Sequence, residues 1–258
     1  MGVYDTKTTD YGYKERISIY SSPIAYGEDC KTRVLKRQKY DEMSDLQKKE
    51  SDERRKRYYK KKISDLINVA MMNTDLTTVV TLTFKDSIIS YDRALIKWQL
   101  FIKRLRHSYP NLKYICVWEY QKKRSEKEGI EEGGVYHFHF LTNIGYLDHA
   151  KLEKIWGNGF VWIDRIQNEN QRVSSIRYTL KYIVKQIEGN LNERRKRLIF
   201  TSNNLIKPVV YYSETHSSKE NIIFNNMESV ISDGEYEIKN AVGRTINKVQ
   251  YVELKKGE

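Results

Sequence analysis

The stretch GGVYHFHFLTN, Gly133 to Asn143, puts two histidines one residue apart inside a run of large apolar side chains, in a chain with only five histidines. Its reading decides the fold. Over Tyr136 to Phe140 the side chains have the two-residue period of a β-strand. His137 and His139 then share a face, roughly 6 to 7 Å apart at their Cα atoms, while Tyr136, Phe138 and Phe140 anchor the other face in a core. Two imidazoles at that spacing can converge on one ion, although a structural histidine pair gives the same pattern.

The preceding strand-like stretch, LKYICVWEYQ, carries Glu119 among apolar neighbours. Gly133 and Gly134 suit a hairpin connection, which makes the two strands antiparallel neighbours. A hairpin centred between Lys127 and Glu128 sets Glu119 across from Tyr136, or from His137 with a one-residue bulge. An ionised carboxylate is costly to bury without a partner. We therefore read Glu119, His137 and His139 as a candidate metal site. It suits Mg²⁺ or Mn²⁺ when phosphate oxygens and water complete the shell, and zinc if it is closed.

Working outward, TTVVTLTF, Thr77 to Phe84, has the β-branched density of a central strand. Tyr91 to His107 reads as an amphipathic helix with Leu95, Trp98, Ile102 and Leu105 in one stripe, ended before Pro110. AKLEKIWG reads as a short helix stopped by Gly157 and Gly159, and FVWIDRI, RLIFTSN and PVVYYSE read as strands. Residues 1 to 30 read as a loosely packed arm. The expected class is α+β, a central antiparallel sheet flanked by helices.

The formal charge of +12 points to a polyanionic partner. From Lys31 to Lys62 there are 14 Lys or Arg against 6 Asp or Glu, centred on RRKRYYKKK. Arg54, Arg55, Lys56, Arg57, Lys60, Lys61 and Lys62, interrupted by Tyr58 and Tyr59, suit contact with phosphates and unstacked bases. No signal peptide, long apolar run or lipidation motif is found, so no membrane partner is expected. Two cysteines, Cys30 and Cys116, form no metal-binding pair.

In YTLKYIVK, Tyr178 to Lys185, helical spacing puts Ile176, Leu180, Ile183, Val184 and Ile187 on one stripe, with Tyr178 and Tyr182 opposite it beside Lys181 and Lys185. Ser174 or Ser175 is the expected N-cap. A phenolate held there can attack a phosphodiester when a cation polarises it.

Taken in order, TTVVTLTF, VWEYQ, YHFHF and YTLKYIVK resemble the HUH endonucleases, most closely the rolling-circle replication initiators of small plasmids and single-stranded DNA phages. The resemblance spans roughly Ile63 to Tyr212. It implies a ferredoxin- or RRM-like core with His137, His139 and Glu119 as ligands. It also implies Tyr178 and Tyr182 as nucleophiles, each followed three residues later by a lysine. The implied activity is site-specific nicking and joining of single-stranded DNA through a covalent 5′-phosphotyrosine, in a bacterial cytoplasm, on single-stranded or supercoiled origin DNA with host helicase and DNA polymerase. No GxxxxGK[ST] loop is present, so strand separation is expected from the host. The expected organisation is an arm and basic helical segment over 1–62, the catalytic domain over 63–212 and a tail over 213–258. A relaxase or single-strand transposase of the same chemistry is one alternative. A non-catalytic copy-control protein is the other.

Overall fold

A computed structural model describes residues 2–26, 39–130, 134–145, 147–168, 171–179, 196–214, 217–240 and 243–256. The chain divides into two compact units, one of residues 52–206 and one of residues 1–51 with 207–258. The segment expected to be catalytic, 63–212, lies in the first unit except for residues 207–212. The fold is α+β, with one five-stranded antiparallel sheet in each unit.

The sheet of residues 52–206 contains Thr78–Thr83 (β3), Tyr114–Tyr120 (β4), Tyr136–Thr142 (β5), Val161–Arg165 (β6) and Ile199–Thr201 (β7), in the order β6-β3-β5-β4-β7. One face is the core. Helix α2, Tyr91–Ser108, starts at Ser90, whose side chain accepts from Arg93 N, and buries Ala94, Trp98, Phe101, Ile102 and Leu105. Trp98 stacks on Phe138 with centroids 5.1 Å apart, and Phe101 meets Phe140 edge-on at 5.7 Å. Helix α4, His149–Trp156, is capped by Asp148 and closed by Gly157 at φ 62°, and its Trp156 packs on Phe101 and Phe84. Burying each such side chain contributes about 1.5–3 kcal/mol. A one-residue slip of β5 would move Phe138 and Phe140 off this face, so the core fixes the register that presents the histidines on the other.

Strands β4 and β5 are antiparallel neighbours, as expected, but the polar link between them contains a short helix, α3, Lys122–Lys127. The ladder pairs Glu119 with His137 without a bulge. Its centre falls on residue 128 rather than between 127 and 128, and this half-step gives the register that expectation allowed only with a bulge. Gly159 holds the approach to β6: its φ is +147°, and a Cβ there would lie 2.3 Å from Lys85 N and 2.5 Å from Thr83 O.

Helix α1, Asp45–Met72, joins the basic run to the apolar ISDLINVAMM segment and buries Leu66 and Ala70. Residues 171–179 are helical (α5). Asn168 is the cap, its Oδ1 accepting from Gln171 N at 2.9 Å, so the expected cap at Ser174 or Ser175 is corrected. The helix starts earlier because Arg172, one turn before Ile176, is buried with it and donates to the carbonyls of Ala70, Asn73, Thr74 and Leu76 at the C-terminal end of α1. A cation suits that end of the helix dipole.

The reading of residues 1 to 30 as a loose arm is also corrected. Gly2–Asp10 (β1) and Lys14–Tyr26 (β2) join Val209–Ser213 (β8), Val230–Lys239 (β9) and Thr245–Lys255 (β10) in the order β8-β1-β2-β10-β9. Val249, Val252 and Leu254 are buried there, and Glu253 pairs with Lys14 and Arg16. Helix α6, Lys219–Asn225, packs on β10, and its Lys219 pairs with Asp233. Short polar β-branched runs such as TKTTD carry the strand period without an apolar signal.

Candidate metal centre

Glu119, His137 and His139 come together on the sheet face opposite Trp98 and Phe101. Strand alternation puts both histidines on this face, and the β4–β5 register brings Glu119 beside them. His137 Nε2 lies 2.6 Å from Glu119 Oε1, His139 Nε2 lies 3.3 Å from the same oxygen, and the two Nε2 atoms are 2.9 Å apart. A divalent ion takes such ligands at about 2.0–2.2 Å, which separates neighbouring ligand atoms by about 3 Å. The donor set therefore fits a metal, and it is the one such cluster among the described residues.

The electrostatics suit a cation. Burial works to raise the Glu119 carboxyl, but hydrogen bonds from His137 and His139, together with their charge, outweigh it and hold the group at about 2. Glu119 thus stays anionic through the physiological range. His139 Nδ1 meets Thr81 Oγ1 at 2.9 Å. In the neutral ring that a metal ion requires, Nδ1–H can donate to Thr81 and the lone pair of His139 is then on Nε2, facing the other two ligands. His137 Nδ1 is buried and bonded to no described residue.

Tyr178 lies on α5, half exposed, while Ile176 is fully buried; the rest of the expected apolar stripe, Leu180, Ile183, Val184 and Ile187, lies outside the described residues. It lines a cleft of about 380 Å³ with Thr81, Trp162, Asp164, Ser174 and Ser175. Thr81 thus touches both the cluster and the cleft. Tyr182, Lys181 and Lys185 lie outside the described residues. The basic run is on α1: Arg54, Arg57, Lys60, Lys61 and Lys62 are exposed, whereas Arg55 lies over the Tyr59 ring at 5.7 Å and Lys56 pairs with Glu53. This unit holds 29 Lys or Arg against 17 Asp or Glu, the whole of the chain's excess.

Sequence reasoning missed Thr81, Trp162 and Asp164. The available signal was parity: Thr81 and Thr83 alternate with the buried Val80 and Leu82 and so share one face of β3. The class defined by these features is an α+β protein with an acid and two histidines on one face of an antiparallel sheet. Residues 77–187 match the family model described as Replication-associated protein ORF2/G2P, a span that holds Glu119, His137, His139 and Tyr178. This similarity supports a replication-initiator role. No curated protein and no solved structure matches the chain. Among the described residues, no helix is long and apolar enough to cross a membrane.

Proposed function

We propose that the unit of residues 52–206 is a metal-dependent, site-specific single-strand DNA endonuclease and ligase of the HUH type that starts rolling-circle replication. The observation that carries this reading is the convergence of Glu119 Oε1, His137 Nε2 and His139 Nε2 on a sheet face whose Thr81 also lines the cleft of Tyr178. Glu119, His137 and His139 would hold Mg²⁺ or Mn²⁺. Such an ion, when bound, polarises the scissile phosphate.

The nucleophile is a tyrosine, Tyr178 or Tyr182. Its phenol loses a proton and Oη bonds to phosphorus. The bond from phosphorus to O3′ breaks, and the 3′ oxygen takes up a proton and leaves as a free hydroxyl. The 5′ phosphate stays esterified to tyrosine until a 3′ hydroxyl attacks it, rejoining the strand and releasing the phenol. With two tyrosines, one can open a second site while the other is still esterified. Lys181 and Lys185 neutralise phosphate oxygens. Arg54, Arg55, Lys56, Arg57, Lys60, Lys61 and Lys62 bind the backbone of single-stranded or supercoiled origin DNA. A host helicase and DNA polymerase act beside it in the bacterial cytoplasm.

The test is incubation with supercoiled DNA carrying the protein's own origin, with and without Mn²⁺, followed by assay for protein attached to a 5′ end. Metal-dependent nicking with a 5′ adduct is expected. Binding without any adduct overturns the reading in favour of a non-catalytic DNA-binding protein.

A further inference from the structure

Two cross-strand rows run from the edge strand β6 to the centre of the sheet. One contains Phe160, Thr83, His137 and Glu119, and the other Trp162, Thr81, His139 and Val117. At 4.7–4.9 Å per strand, Trp162 stands about 10 Å from His139. Its exposure is unlike that of the other tryptophans: 69% for Trp162, against 2% or less for Trp98, Trp118 and Trp156. Phe160, next but one in sequence, is 66% exposed. The unit buries every other tryptophan and leaves this one in water, beside the candidate ligands.

Trp162 and Asp164 both line the cleft that also holds Tyr178. Asp164 is exposed, and its carboxylate makes no ion pair or side-chain hydrogen bond among the described residues. It pairs across the sheet with Val79, one row beyond His139 and away from Glu119, so it is not part of the metal cluster. An exposed carboxylate in that position repels backbone phosphate. It can, however, accept hydrogen bonds from the exocyclic amino group of a base. An indole face in water suits the other part of the same ligand, because every base has a π-face to stack.

We infer that this cleft takes one unpaired, amino-bearing base of the DNA strand, stacked on Trp162 and read by Asp164, beside the phosphate presented to Glu119, His137 and His139. The inference rests on the proposal that this unit acts on single-stranded DNA, and it adds a determinant of sequence choice. Thymine, which lacks an exocyclic amino group, is disfavoured at this position.

The test uses the full chain without divalent ions and a pool of random single-stranded oligonucleotides, with the bound fraction sequenced. Wild type should enrich an amino-bearing base at one position. Asp164→Asn should relax the preference at that position and leave the others. Trp162→Ala, a change on an exposed edge strand checked by its melting curve, should weaken binding by roughly 5- to 150-fold, the range of one stacked base, with Trp162→Phe retaining most of the affinity. Acrylamide quenching of the exposed tryptophan should fall when DNA is added. The inference is overturned if Trp162→Ala binds as wild type does and quenching is unaffected by DNA, or if Asp164→Asn leaves every positional preference in place. Nicking of supercoiled origin DNA in Mn²⁺, followed in parallel, separates the two claims. Adducts without a Trp162 or Asp164 signature leave the nickase and remove the base site, whereas that signature without adducts does the reverse.

Discussion

Thr81→Val isolates the part of the metal centre that reasoning from sequence did not reach. Thr81 Oγ1 is 2.9 Å from His139 Nδ1, and His139 is 4% exposed, so removing the hydroxyl takes a hydrogen bond away from a buried ring nitrogen. Valine keeps the branch at Cβ and the fit to a strand. Outer-shell partners of ligating histidines are typically worth 10- to 100-fold in metal affinity, about 1.4–2.7 kcal/mol, and an unsatisfied buried donor costs about 1–3 kcal/mol. The two figures agree, and the expected result is a Mn²⁺ affinity weaker by one to two orders of magnitude, measured by calorimetry or by electron paramagnetic resonance of the free ion. Thr83→Val is the control. Thr83 also faces the cluster, across from His137, but its hydroxyl donates to Phe160 O at 3.2 Å. Its Mn²⁺ affinity should stay within about twofold of wild type, because no ligand loses a partner. Equal affinities of wild type and Thr81→Val, or equal losses in both variants, would refute the role assigned to the hydroxyl.

Replacing both His137 and His139 by alanine should abolish cleavage and Mn²⁺ binding while leaving origin binding largely intact, since the basic surface supplies the affinity; gel-shift and nicking assays on one preparation check both halves. The Glu119 carboxyl is held at about 2 against an ordinary 4.5, so its ionised form stabilises the metal-stripped fold above pH about 4.5 and that contribution fades as the pH falls towards 2. The gap in urea midpoint between wild type and Glu119→Gln should therefore close on acidification, and a widening gap contradicts the sign. Neutralising Arg57, Lys60, Lys61 and Lys62, four exposed members of the run, should flatten the logarithmic salt dependence of DNA binding by about 0.7–0.9 for each phosphate left without its cation, more than neutralising Arg55 and Lys56, which are engaged within α1. Tyr178→Phe and Tyr182→Phe should each retain some nicking but not complete termination, and the double variant should form no adduct. Mass spectrometry that finds the label on another tyrosine contradicts the assignment.

What could be read from the sequence follows the range of the interactions involved. The faces of β5 were legible because strand parity is local: Phe138 and Phe140 go to one side, His137 and His139 to the other. The pairing of β4 with β5 was legible because the two strands follow one another in the chain, whereas the helix α3 in the link and the half-step in the centre of the ladder were missed. Thr81 was not legible, because the β3–β5 register that brings it to His139 joins residues 58 apart and leaves no mark in either strand. The cap of α5 was misplaced for a related reason. Ser174 and Ser175 stand just before the first apolar residue of the stripe, while the buried Arg172 extends the inner face of the helix back by a turn through bonds to α1 that no hydropathy pattern displays. With the cap at Asn168, Tyr178 lies well beyond the first turn and gains little from the helix dipole.

The distribution of charge narrows where DNA affinity resides. Residues 1–51 and 207–258 hold 17 Lys or Arg and 17 Asp or Glu, so that unit contributes no net attraction for a polyanion, whatever its five strands recognise. The excess of +12 belongs to residues 52–206, which also carry the candidate ligands, Tyr178 and the exposed Trp162. Counterion release scales with the phosphates neutralised, and stacking with the bases unstacked. Both sources of affinity therefore coincide in one unit with the groups proposed to cut. Where binding and cutting share a unit, a basic surface alone would bring any sequence to the tyrosine, and selectivity has to come from contacts to bases. Asp164 fits that need: lining the cleft, its carboxylate opposes backbone phosphate and can accept hydrogen bonds from the amino edge of a base.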